Sequence, residues 1–367
     1  MVKIVAVGDI MPGGVLAGHN DGYVSQEVLD VLSKGDIRVG TLETAIGNSP
    51  TFSEEKMSRK KDVIYALDND LGKLKHLGLD IVSLANNHFF DLGPEGARHT
   101  IELLDEMGIQ HVGAGRNIEE ASRPVIKSVG GRKVAFIAFC ECREDLIGWC
   151  PVAKENEAGV NPLEEEYVAS EIKRCKGMSD YVVVIPHWGK EGQVMPTDRE
   201  YRLAKKMIAS GADLVLGGHT HCIQPIYRTR GKSVVFSMGN FLFPDRLLAP
   251  PRSTYYPPSP IDIASLPVTD RFPAVDTVTL KKWRIMARYG LMVEALLDAE
   301  GASAFPHVVH LTDENFVELS KEGFYYQSDV KRAQIALKSG CYPLVYLPQK
   351  IGNGLKPYVK GLLKKIK

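Results

Sequence analysis

What most restricts this chain is where its polar residues fall. They gather at the ends of short β-branched runs, and those runs alternate with longer amphipathic stretches. Residues 3–7, 37–42, 81–84, 133–139, 181–185, 214–216 and 233–237 read as strands; 23–32, 71–77, 96–107, 164–175 and 201–210 carry helical periodicity. A strand–helix rhythm of this kind predicts a layered α/β fold. Three helical stretches run into Gly78, Gly108 and Gly211, where a left-handed cap costs little.

In layered α/β folds ligands collect beyond the carboxyl ends of the strands. Five such ends carry chemistry here: Gly8-Asp9, Glu43-Thr44, Asn86-Asn87-His88, Pro186-His187-Trp188-Gly189 and Gly217-Gly218-His219-Thr220-His221. Asp9, Glu43, Asn87, His187, His219 and His221 form a mixed oxygen and nitrogen set. That set suits borderline divalent cations such as Mn, Fe or Zn better than calcium alone. His219 and His221 would face opposite ways in an extended segment, so Gly217-Gly218 is expected to supply a turn that lets both address neighbouring cations. His19, His76, His99, His111, His307 and His310 have no comparable context and read as ordinary core or surface residues.

At 367 residues, 44% hydrophobic and 25% charged, the chain suffices for one large domain with appendages, or two, and is not of disordered composition. Its opening apolar run breaks at Gly8-Asp9, too short for a secretory or spanning segment, so a cytoplasmic location is expected. The six cysteines (Cys140, Cys142, Cys150, Cys175, Cys222, Cys341) show no paired C-x-x-C spacing. They read as reduced, mostly buried thiols. Cys140 and Cys142 at a strand end should point to opposite faces, which weakens any soft-metal reading of that pair.

Prolines crowd residues 244–273, which excludes a regular helix or a central strand and marks a long insertion, either a binding loop or a surface excursion. Residues 289–297 and 307–311 read as closing strands. The chain thus divides into a domain over 1–311 and an appendage over 312–367. From Val330 onward there are nine basic residues and no Asp or Glu, against an overall balance of 45 and 45, so an acidic body carries a basic tail. Near the end Leu355, Tyr358, Val359, Leu362, Leu363 and Ile366 share one helical face and lysines the other, a pattern suited either to an anionic membrane surface or to docking on the acidic body.

The segments Gly8-Asp9-Ile10-Met11, Thr41-Leu42-Glu43 and Leu84-Ala85-Asn86-Asn87-His88 with Asp91 and Gly93 resemble the CapA / PgsA family of capsule and poly-γ-glutamate biosynthesis. So do Gly113-Ala114-Gly115, Pro186-His187-Trp188-Gly189 with Glu191, Gly217–His221 and Ser237-Met238-Gly239-Asn240-Phe241. That family is a branch of the calcineurin-like metallophosphoesterases, and the likeness runs in order over about residues 2–311. It implies a four-layer α/β/β/α sandwich of the metallophosphoesterase type with one or two divalent cations, Mn foremost. Asp9 and His221 would hold the first cation, Asn87, His187 and His219 the second, and Glu43 would bridge both. His88 would act as the acid beside the scissile bond, with Asp91 either orienting it or capping the helix that starts near Gly93. Asn86 and Asn240 are expected to contact substrate.

One position departs from ordinary phosphoesterases. Their first strand carries D-x-H, whereas here Met11 stands two residues after Asp9, a poor ligand for Mn or Zn. His19 is a candidate replacement. The resemblance implies a metal-dependent phosphoester hydrolase acting on a phosphorylated small molecule or an anionic polymer. The alternative is a metal-containing accessory or binding subunit of a polymer-synthesis machine without robust hydrolysis. No nucleic-acid partner is expected.

Overall fold

The computed structural model describes residues 1–19, 21–48, 62–271 and 274–320. The basic amphipathic tail expected from the sequence lies outside these residues.

Two sheets organise the chain. The first runs Val317–Leu319, Gly301–Leu311, Tyr289–Asp298, Val2–Ile10, Ile37–Leu42, Ile81–Ser83 and Gln110–Val112, with Asn240–Leu242 also paired to Val2–Ile10. The second runs Ile226–Thr229, Lys232–Val235, Leu214–Leu216, Tyr181–His187, Arg132–Cys140 and Val125–Val129. Successive pairs from Val2–Ile10 to Gln110–Val112 are parallel, as are those from Arg132–Cys140 to Lys232–Val235. Parallel strands are covered on both faces, which explains why they read as continuous apolar runs.

The two-residue period of Arg132–Cys140 shows how the layers stack. Val134, Phe136, Ala138 and Cys140 enter the core shared with the first sheet. Ala135, Ile137 and Phe139 enter a second core with Val168 and Ile172 of helix Glu165–Lys176 and Leu203 and Met207 of helix Asp198–Ser210. Helices Gln26–Leu32 and Gly93–Glu106 bury Val28, Val31, Ala97 and Leu104 against the first sheet. The architecture is therefore α/β/β/α.

Local chemistry fixes the ends. Helix Asp198–Ser210 starts at a capping box in which Thr197 and Glu200 satisfy each other's backbone N–H, and it stops at Gly211 with φ 117°. Strands Arg132–Cys140 and Tyr181–His187 run further than their β-branched stretches, to Cys140 and His187. The first sheet likewise continues past Leu311 to Val317–Leu319.

The proline-rich segment is more ordered than its composition predicts. Arg246–Ala249, Ser253–Thr254 and Val268–Thr269 join Thr279–Lys281 in a small sheet, the prolines among the described residues falling outside the strands, where no ladder N–H is needed. Fully buried Arg246 anchors it through Asp62 at 2.9 Å. Among the described residues no helix is long and apolar enough to cross a membrane.

Candidate metal centre

The parallel strands of both sheets deliver their carboxyl ends to one place. Asp9 lies within strand Val2–Ile10, in register with Thr41 and with Asn240, while Glu43 follows Leu42 and donates its N–H to the Ile10 carbonyl at 2.8 Å. The register between the first two strands shifts between Ala6 and Asp9, and the intervening Gly8 packs so closely that a Cβ there would sit 1.9 Å from the Gly239 carbonyl oxygen. A glycine is required for that contact.

Two ligand groups result, and Glu43 belongs to both. Glu43, His187 and His219 offer atoms that all lie within 4.8 Å of one another, and so do Asp9, Glu43 and His221. Glu43 Oε1 is 3.3 Å from His187 Nε2 and 3.8 Å from His221 Nε2; Asp9 Oδ2 is 3.8 Å from His221 Nδ1. Asn87 Oδ1 meets His187 Nε2 at 3.0 Å. All six residues are buried.

His219 and His221 reach this cluster in an unexpected way. The glycines before them do not make the turn. His219 and His221 themselves take left-handed backbone conformations, with φ of 87° and 51°. Non-glycine residues held there cost of order 1–3 kcal/mol each, a strain that folds tolerate mainly at functional sites. The glycines serve close packing: a Cβ on Gly217 would lie 1.9 Å from the Phe236 carbonyl oxygen, and one on Gly218 2.6 Å from Asp9 Oδ1.

Charges in this buried pocket are poorly accommodated. Burial, then the Glu43 carboxylate beside it, pushes Asp9 well above the usual carboxylate range, against the pull of His187 and the His219 N–H, which donates to Asp9 Oδ2 at 3.1 Å. Burial and the neighbouring imidazoles hold His219 well below its ordinary value; burial does the same for His221 although Asn240 opposes it. These are neutral imidazoles, the form that ligates metals. Asp9 Oδ1 and both ring nitrogens of His219 are buried and make no hydrogen bond of good geometry within the protein. Buried polar atoms left this way are costly unless something else satisfies them. One or two divalent cations fit that requirement and this donor set.

The remaining expected residues fall into distinct places. His88 Nδ1 lies 2.8 Å from Asp91 Oδ2, and His88 is near enough to the cluster to depress both His219 and His221. Helix Gly93–Glu106 has Leu92 at its N-cap with no side-chain cap, so Asp91 serves His88 in place of the helix end. Asn86 and Asn240, expected to contact substrate, are buried and hydrogen-bonded to groups around the centre. Asn86 donates to the Leu42 carbonyl and accepts the His88 N–H, while Asn240 donates to the Ala287 carbonyl and its Oδ1 meets His221 Nδ1 at 2.8 Å. Their amides fix groups around the centre. Met11 is fully buried in the core, and His19 is exposed and belongs to neither ligand group, so it does not replace the missing imidazole.

Sequence reasoning missed the wall beside His221. The Trp283 and Phe243 rings lie 4.8 and 5.4 Å from the His221 ring, centroid to centroid. A recess of about 380 Å³ opens there, lined by His221, Lys281, Trp283, Arg271 and Arg284 among others. Arg271, Lys281, Trp283 and Arg284 come from or follow the proline-rich segment, which carried no periodic signal.

The two packed sheets define a four-layer α/β protein in which a carboxylate–imidazole cluster of candidate metal ligands lies at the strand ends. Residues 3–245 match the family described as Bacterial capsule synthesis protein PGA_cap, and the chain belongs to that family. It is 30% identical over 254 residues to the Capsule biosynthesis protein CapA of Bacillus anthracis, covering 66% of this chain and 60% of that one. To the PGA biosynthesis protein CapA of Bacillus subtilis (strain 168) it is 30% identical over 243 residues, 65% of this chain and 62% of the relative. The chain thus spans about three fifths of the curated relatives it matches. Among solved structures it is similar to a hypothetical protein from Thermus thermophilus, with a TM-score of 0.47 and 15% identity over 83% of this chain and 98% of the other.

Proposed function

We propose that this chain is a metal-dependent phosphoester hydrolase serving the synthesis of a capsule or a related anionic polymer. The observation that carries the reading is the sharing of Glu43 between two ligand groups with the buried His88–Asp91 pair alongside. Asp9, Glu43 and His221 would hold one cation and Glu43, Asn87, His187 and His219 the other, with Mn, Fe or Zn matching the donors. When bound, such cations supply Lewis acidity toward phosphoryl oxygens.

The chain's own residues would do the rest. Asp91 keeps the Nδ1 side of His88 engaged, so Nε2 is the nitrogen from which a proton can pass to a leaving oxygen. Buried Trp283 and Phe243 wall the His221 side, and the adjoining recess carries Lys281, Arg271 and Arg284 together with Glu191 and Asp270, a mixed polar lining that would admit a phosphorylated small molecule or an anionic polymer.

A second reading has a specific support of its own. Met11 offers no strong ligand where an imidazole would complete the first group, and this favours an accessory protein that grips carboxylates or phosphates without robust turnover. Hydrolysis of a generic aryl phosphate with added Mn²⁺ separates the two. Activity lost in His88→Gln supports the hydrolase. Metal uptake with no turnover, together with metal-dependent retention of poly-γ-glutamate, supports the accessory reading.

A further inference from the structure

Next to the carboxylate–imidazole centre, on the strand where Cys140 pairs in register with His187, a second group of metal-type side chains converges that shares no member with the first two. The Sγ atoms of Cys140, Cys142 and Cys150 all lie within 4.8 Å of one another, and those of Cys140 and Cys150 are 4.0 Å apart. Cys140 and Cys142 were expected on opposite faces. That alternation holds only within a strand, and the strand stops at Cys140, so Cys142 lies in irregular chain and folds back until its thiol donates to the Cys140 carbonyl at 3.2 Å. A short helix, Glu144–Ile147, then returns the chain to bring Cys150 beside them.

Core packing accounts for two buried thiols in contact; it does not call for a third sulfur on their open side. Cys140 and Cys150 are buried, whereas Cys142 is partly exposed and gives the group a path to solvent. A metal bonded to sulfur at about 2.3 Å holds two such sulfurs about 3.8–4.0 Å apart in tetrahedral or trigonal geometry. The Cys140–Cys150 separation has that value already.

We propose that Cys140, Cys142 and Cys150 form a soft-metal site that takes a thiophilic cation, Zn²⁺ or Cu⁺, separate from the carboxylate–imidazole centre. Three thiolates select soft cations, while carboxylate, amide and imidazole donors accept harder ones, so the two groups sort metals by chemistry. Each thiol that becomes a ligand forms one metal–sulfur bond and releases its proton to solvent, with no change of oxidation state.

The test uses the full chain, fully reduced and saturated with Mn²⁺, titrated anaerobically with Co²⁺. Thiolate-to-Co²⁺ charge transfer in the near ultraviolet reports sulfur ligation, and oxygen and nitrogen ligands do not produce it. One equivalent should generate the band. Cys142→Ser, at a partly exposed position, should fold with an unchanged Tm and bind at least about tenfold more weakly, as should Cys150→Ser. Displacement of Co²⁺ by Zn²⁺ or by Cu⁺ then identifies the preferred ion. Absence of the band from folded protein whose thiols are reduced overturns the proposal, as does a band undiminished in both variants. So does a Cys140–Cys150 disulfide in the protein as isolated.

Discussion

Asp91 Oδ2 sits 2.8 Å from His88 Nδ1 and, from the same atom, accepts the Ile64 N–H at 2.6 Å. Asp91 is buried, so the carboxylate is held from one side by the main chain and presents its charge to the imidazole on the other. Such an arrangement fixes the ring's orientation and its tautomer together. His88→Gln should therefore retain metal while turnover of an aryl phosphate falls by roughly two to four orders of magnitude. Asp91→Asn should retain metal too and lose less activity. Metal analysis beside steady-state kinetics checks both, and parallel loss of metal and activity in His88→Gln would make His88 a ligand.

The ligand groups make a different demand. Removing His187 or His219 should strip bound cation after dialysis, because each takes away one of few protein donors in a buried group. Asn240→Ala should weaken metal binding by about 10–100-fold through the freed His221 ring, leaving KM little changed. A raised KM with full metal content would return Asn240 to the substrate.

The layered fold was legible because buried parallel strands must be apolar throughout, and the ligand residues were legible because they interrupt those runs at their ends. Both signals are local. Asp91 was ambiguous because spacing alone served a helix cap and an imidazole contact equally well; only the position of Ile64 and His88 around it decides. The thiol group was hidden because a two-residue period was extended beyond Cys140, where the strand has ended. Trp283 and Lys281 were hidden because contacts with His221 and Arg246 join segments far apart in sequence, and proline spacing says where strands stop but not what lies across from them.

Gly217 should prove among the least replaceable residues. A Cβ there would meet the Phe236 carbonyl oxygen at 1.9 Å and Trp188 Nε1 at 2.7 Å, both in main-chain or fully buried surroundings that cannot give way. Gly217→Ala is expected to destabilise by about 3 kcal/mol or more, at the upper end of single substitutions. Chemical denaturation measures it, and a change under about 0.5 kcal/mol, the range of neutral surface substitutions, would show that the loop carrying His219 and His221 yields easily.

Lys281 gives a pH signature that its own replacement isolates. Burial and then Arg246 lower its ammonium from 10.5 to about 7, against the opposing pull of Asp62, Asp245 and Glu191, while the Trp283 face, 4.0 Å from Nζ, favours the cation. Below pH 7 the group is charged in both folded and unfolded chains, and the cost of burying that charge is fully present. Between about pH 7 and 10 the unfolded chain keeps the proton and the folded one does not, so this lysine's contribution to stability rises with pH. Lys281→Met has no proton to lose and removes the burial cost. Its Tm should exceed the wild type's most at pH 6, and the gap should close steadily toward pH 10. Melting curves for the two proteins that stay a constant distance apart across that window would mean Lys281 keeps its proton in the folded state, held by the carboxylates and the Trp283 ring.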